Sequence, residues 1–102
     1  MTQWIDAVKQ SELPEGSRKV VNLPGVSLLI FNLAGNYYAI KNECTHENFP
    51  LEEGELSGNT ITCPFHGAEF CIITGAVKAP PAFEDLEVYK TRVENEMIQV
   101  AI

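Results

Sequence analysis

The chain is expected to fold as an all-β domain. Short apolar runs of strand length recur along it, turn-forming residues separate them, and no segment carries the spacing of an amphipathic helix. The first four runs are Trp4–Val8, Lys19–Leu23, Ser27–Leu33 and Tyr37–Lys41, rich in the Val, Ile, Leu and Tyr that suit a pleated, half-buried surface. Pro24-Gly25 and Gly35-Asn36 separate the second, third and fourth, and both have hairpin-turn composition. Gln10–Gly16, with Pro14 and Gly16, reads as a loop holding at most one short turn. Further on, Thr60–Cys63 and Glu69–Ile73 read as shorter strands. Leu86–Val93 and Met97–Ala101 then close the chain as a hairpin around Glu94-Asn95-Glu96.

Between Asn42 and Ser57 the strand pattern fails, and Ser57-Gly58-Asn59 follows as a turn. Pro64–Gly67 is a second irregular piece, and Pro80-Pro81 marks a third loop. The scaffold is therefore read as one domain over residues 1–102. A loop-rich lobe, about 43–75, is inserted between basal β segments at 1–42 and 76–102. All the Cys and His residues fall inside that insert.

One hundred and two residues supply a single core of ordinary size. With 45% hydrophobic residues the chain has enough apolar material to fold. No run approaches the roughly 18 apolar residues of a membrane span. Met1 to Gln10 lacks the basic-then-apolar order of a secretion signal, so a cytoplasmic location is expected. The net charge of −7 argues against a nucleic-acid phosphate surface and against anionic lipid as partners. A monomer is expected.

Three cysteines leave a disulfide framework with one thiol over, so thiols kept for metal are the better reading. The only two histidines each lie within three residues of a cysteine. Cys44-x-His46 and Cys63-x-x-His66 are separated by the sixteen residues Glu47 to Thr62. Two loops can turn such pairs toward one point. A lone Cys is usually a small buried hydrophobe, and a lone His a satisfied polar residue. Neither habit explains four such residues in paired spacing. Two thiolates and two imidazoles suit either tetrahedral zinc or an iron–sulfur centre.

The flanking residues separate these. Cys44-Thr45-His46 and Cys63-Pro64-Phe65-His66-Gly67, followed by Phe70 and Thr74-Gly75, resemble the two signature boxes of the Rieske family in order and in gap. Within that family the chain resembles the soluble ferredoxins of bacterial aromatic-ring dioxygenases. The resemblance implies three antiparallel β-sheets with the insert as a cluster-binding lobe, and one Rieske-type 2Fe-2S cluster. It implies Cys44 and Cys63 on the inner iron, with His46 and His66 on the outer iron and reaching the surface. It places Pro80-Pro81 in a loop over the cluster, and Gly67 where backbone must approach the sulfides.

Respiratory members carry an extra Cys in each box, whereas Phe65 and the neighbourhood of Phe49 stand in those places here. They also set Ser and Tyr hydroxyls near the sulfurs, where this chain has Ala68 and Phe70. Without those hydroxyls the extra electron is less stabilised, so a reduction potential around −150 mV is expected. Glu47, often a small residue in relatives, is a further departure beside His46. Cys71 is the leftover thiol and reads as structural, since four ligands complete the site.

Across Asn42 to Val77 there are six carboxylates and no Lys or Arg. These form either a solvated acidic face or a field that steers a basic partner. With no Gly-rich dinucleotide fingerprint in the chain, the nicotinamide and flavin chemistry belongs to a partner. The resemblance thus implies a one-electron carrier between an NAD(P)H-dependent flavoprotein reductase and a terminal ring-hydroxylating oxygenase. The partners would dock near His46 and His66. An oxygenase of its own would need two further histidines and a carboxylate for a second iron, and both histidines are committed. The alternative within the fold is the Rieske-like small subunit of an assimilatory nitrite reductase or another redox complex. A structural zinc module is the remaining one.

Histidine ligation has a measurable consequence. Oxidised iron lowers the imidazole N–H pKa more than reduced iron does. The midpoint potential, followed by voltammetry, is therefore expected to fall as pH rises through the oxidised-state value. A potential flat from neutral to about pH 10 counts against imidazole ligands.

Overall fold

Four consecutive apolar residues, Leu28 to Phe31, are each completely buried. Neighbouring side chains of a strand point to opposite faces, so such a run needs cover on both sides. The computed structural model, which describes residues 3–45, 50–65, 67–80 and 84–102, supplies it with three antiparallel sheets. The central sheet orders β2 (Arg18–Leu23), β3 (Val26–Leu33), β4 (Asn36–Lys41) and β9 (Val88–Tyr89). One face meets a terminal sheet of β1 (Trp4–Lys9), β11 (Met97–Ala101) and β10 (Thr91–Glu94). The third sheet orders β5 (Glu55–Ser57), β6 (Thr60–Thr62), β7 (Glu69–Cys71) and β8 (Val77–Ala79).

The core divides by strand parity. Leu28, Ile30 and Ala39 join Val8, Leu13, Ile98 and Val100 under the terminal sheet. Leu29, Phe31 and Ile40 join Leu51, Ile61, Phe70, Ile72 and Leu86 on the other face. Asn32 is the buried polar residue on β3, and both ends of its amide are used. It donates to the Leu13 carbonyl at 2.9 Å and accepts from the Gly35 N–H at 3.1 Å, pinning the Gln10–Glu12 3-10 turn region to the β3–β4 hairpin. Among the described residues no helix is long and apolar enough to cross a membrane.

The all-β expectation and the antiparallel sheets hold, with four local corrections. Two three-residue strands, β5 and β8, carry no readable pattern and exist through pairing with β6 and β7. Thr60–Cys63 ends one residue early, at Thr62, and Glu69–Ile73 ends at Cys71. Leu86–Val93, expected as one strand, is two. β9 pairs with β4 and β10 with β11, and the chain changes sheets at Lys90, whose carbonyl accepts the Ala101 N–H at 2.9 Å. A period-2 pattern continues through a change of partner and cannot reveal it. The β3–β4 turn is Ala34-Gly35 rather than Gly35-Asn36. Both its residues have positive φ, 52° and 85°, and Asn36 already pairs with Leu33.

A strap formed by residues 84–87 joins the layers. The Leu86 N–H donates to the Gly75 carbonyl at 2.7 Å, and the Glu87 carbonyl accepts the Lys41 N–H at 3.0 Å. The Asp85 carboxylate accepts the Val77 N–H at 2.9 Å. Gly75 sits beneath the strap with φ of 81°, and a Cβ there would collide with the Leu86 carbonyl. Gly75→Ala therefore meets both backbone strain and a backbone clash. It is expected to cost about 2–4 kcal/mol, read as a fall in melting temperature of roughly 8 °C or more by circular dichroism.

Candidate metal centre

Two chain segments bring thiols to one place. At the end of β4 the Asn42 N–H donates to the Ser27 carbonyl and the Glu43 N–H to the Lys41 carbonyl, each at 2.8 Å. These bonds turn the chain out of the central sheet and set Cys44, fully buried, into the inner core. The Asn42 side chain, itself buried, accepts the Leu51 N–H at 2.9 Å and draws the return of the loop onto the same core. The Thr45 hydroxyl donates to the Glu84 carbonyl at 2.7 Å, fastening the first box to the strap.

The second box is a closed loop. The Cys63 N–H donates to the Ala68 carbonyl at 2.7 Å, and the Gly67 N–H to the Cys63 carbonyl at 3.1 Å. Gly67 has φ of 76°, and no other protein atom lies within 4 Å of where its Cβ would be. Its left-handed backbone selects glycine here; crowding by the surrounding protein does not. The tip carries Phe65, 56% exposed although aromatic.

Cys44 and Cys63 thus enter one buried cluster, walled by Leu51, Ile61, Ala68, Phe70, Ile72 and Leu86. Two soft donors in an apolar, water-poor wall suit a thiophilic iron–sulfur centre. His46 and His66 lie outside the described residues, as do Glu47, Phe49 and Pro81. Among the described residues no three His, Cys, Asp or Glu side chains converge. Ala68 and Phe70 are fully buried and bring no hydroxyl.

Cys71 ends β7 and is 7% exposed. Burial pushes its thiol pKa up, but hydrogen bonds from the Thr74 backbone and hydroxyl and from the Ile73 backbone, with the charge of Lys78, outweigh this. The net shift is downward. Nothing in the sequence marks Asn42, the strap or Arg18 as parts of the site. Their roles come from contacts between segments far apart in the chain.

Electrostatically the site is acidic. Glu52, Glu53 and Glu55 are exposed on the lobe. Beside Thr45 lies an open cleft of about 410 Å³ lined by Glu43, Glu84, Asp85 and Glu87 with Lys41. A larger cleft, about 590 Å³, opens between Lys9–Ser11 and Asn95–Met97, and none of its lining residues is a thiol or imidazole.

Residues 3–90 match the Rieske [2Fe-2S] domain. The chain belongs to the Rieske family. That membership settles the choice between zinc and iron–sulfur in favour of one Rieske-type 2Fe-2S cluster. Among curated relatives, the chain is 33% identical over 98 residues to the ferredoxin component of the naphthalene 1,2-dioxygenase system of Pseudomonas aeruginosa, covering 96% of this chain and 94% of the relative. It is 37% identical over 95 residues to the biphenyl dioxygenase ferredoxin subunit of Pseudomonas sp. (strain KKS102), covering 92% and 87%. Among solved structures, it is similar to a chain in the complex of reduced oxygenase and oxidised ferredoxin of carbazole 1,9a-dioxygenase. There the TM-score is 0.88 at 32% identity, covering 96% of this chain and 92% of that one. Strands β10 and β11 lie beyond the matched range and complete the terminal sheet of this Rieske protein.

Cys71 should be separable from the cluster. Cys71→Ser is expected to keep about two irons per chain. In the wild type its alkylation rate should titrate below the ordinary thiol value of about 8.5. A depressed folded-state pKa adds stability that is fully present above the unfolded value and lost as pH falls through the folded one. Wild type should therefore gain on Cys71→Ser as pH rises toward about 8.5, measured by denaturant unfolding at several pH values.

Proposed function

We propose that this chain is the one-electron carrier of a multicomponent ring-hydroxylating oxygenase system and is not itself a catalyst. When bound, its cluster accepts and releases a single electron. Cys44 and Cys63 hold the inner iron, and His46 and His66 hold the outer iron at the lobe tip. Residues 43–75 serve as the cluster-binding lobe of a single domain spanning 1–102.

The observation that carries this reading is the convergence of both signature thiols, from separate loops, into one buried cluster. The ferredoxin names of the relatives support the carrier role. The complex of oxygenase with ferredoxin supports the terminal oxygenase as electron acceptor. The chain's own residues do three things. The apolar wall around Cys44 and Cys63 excludes water, so the charge of an added electron is confined to a low-dielectric site. Ala68 and Phe70 withhold hydroxyl hydrogen bonds and keep the potential low. The exposed carboxylates of the lobe and of the cleft beside Thr45 present a field that a basic partner face would follow. The electron donor is an NAD(P)H-dependent flavoprotein reductase. Both partners dock near His46 and His66, and the protein works as a cytoplasmic monomer.

The test is chemical. Purified protein should contain about two irons and two acid-labile sulfides per chain, be brown-red, and bleach on dithionite. Cys44→Ser and Cys63→Ser should each abolish the colour. Reductase with NADH should bleach the wild type, and added oxygenase should restore the oxidised spectrum. Colourless, iron-free protein after anaerobic reconstitution overturns the reading.

A further inference from the structure

We propose that Arg18 is a positioning residue for the metal centre, acting from the basal sheet through the loop 50–54. Arg18 lies on β2, remote from either signature box in sequence. Its guanidinium spans two carbonyls of that loop. Nη1 donates to the Gly54 carbonyl at 2.6 Å and lies 3.3 Å from the Glu52 carbonyl. The guanidinium carbon also stands 5.5 Å from the centre of the Phe31 ring, which is buried in the same cluster as Cys44 and Cys63.

The loop it grips touches both legs of the site. On one side the Leu51 N–H is bound by Asn42, two residues before Cys44, and Leu51 is fully buried against the thiols' cluster. On the other side Gly54 lies hard against β6. A Cβ on it would collide with the carbonyl of Thr62, the residue before Cys63. The Gly54 N–H closes the loop on the Leu51 carbonyl at 2.9 Å. One side chain therefore holds the segment that spaces Cys44 from Cys63. The task needs arginine: a planar fork reaches two carbonyls and packs flat on an aromatic ring, whereas an ammonium on a flexible stem does neither in a fixed geometry. It is also a cation delivered to a stretch, 42–77, that has none of its own.

The consequence for the cluster rests on the function proposed above, so the experiment reads the loop separately. Amide hydrogen exchange would be compared in wild type, Arg18→Gln, Arg18→Lys and, as control, Lys19→Gln, whose side chain makes only a surface ion pair with Glu12. In Arg18→Gln, exchange at Leu51 and Gly54 is expected to rise by about tenfold or more, the effect of losing charged hydrogen bonds. Exchange at Ile98 and Val100 in the terminal sheet should not change. The visible circular dichroism of the cluster should change, and cluster loss to a chelator should quicken. Arg18→Lys should fall between the two on every readout, and Lys19→Gln should match wild type. Wild-type exchange at Leu51 and Gly54 in Arg18→Gln, an equal rise at Ile98 and Val100, or an unaltered cluster spectrum overturns the role of Arg18. A wild type that holds no iron refutes the carrier reading instead, and exchange at the two amides still decides whether Arg18 holds the loop.

Discussion

The structure depends on burial of the central sheet from both sides. Leu28 and Ile30 belong to one core and Leu29 and Phe31 to the other, so one strand carries the hydrophobic faces of two layers. For a chain of 102 residues this is an economical arrangement. Neither core is large, and small domains gain little burial per residue, but each stiffens the sheet that the other rests on. The thiols are seated in one of these cores. Their positions are therefore referred to the basal scaffold through packed side chains, which tolerate little displacement.

Polar bonds then set the details that packing leaves loose. Asn42 and Thr45 bind the first cysteine segment to its own return loop and to the strap. The second box is held by its own backbone, with Cys63 both donating to Ala68 and accepting from Gly67. In a low-dielectric surrounding each such bond is worth more than it would be in water, and each would be costly to leave unmade. A redox centre benefits from this, because a site that need not rearrange when its charge changes exchanges electrons with less reorganisation. The same apolar wall, combined with exposed carboxylates nearby, makes the added negative charge less welcome and favours onward transfer.

Much of this was legible beforehand. The first four strands and the last follow from alternation and turn residues, and their limits agree with the structure to within a residue or so. The cysteine boxes were legible because metal chemistry demands particular residue types at short spacing. β5 and β8 were not, since three residues carry no period and their strand character comes from neighbours. The break at Lys90 was hidden because both halves of Leu86–Val93 keep strand-like composition. Gly67 could be flagged from the motif, but its reason, a left-handed backbone closing the second box, needed the dihedral angle.

By itself the sequence determined the all-β class, the pairing of thiols with imidazoles and the acidic character of the lobe, because these follow from composition and local spacing. Tertiary structure alone decided which residues stand behind the site. Arg18, Asn42, Gly54 and the 84–87 strap act across gaps in the chain that no local pattern spans, and they meet only because packing on the central sheet brings them together.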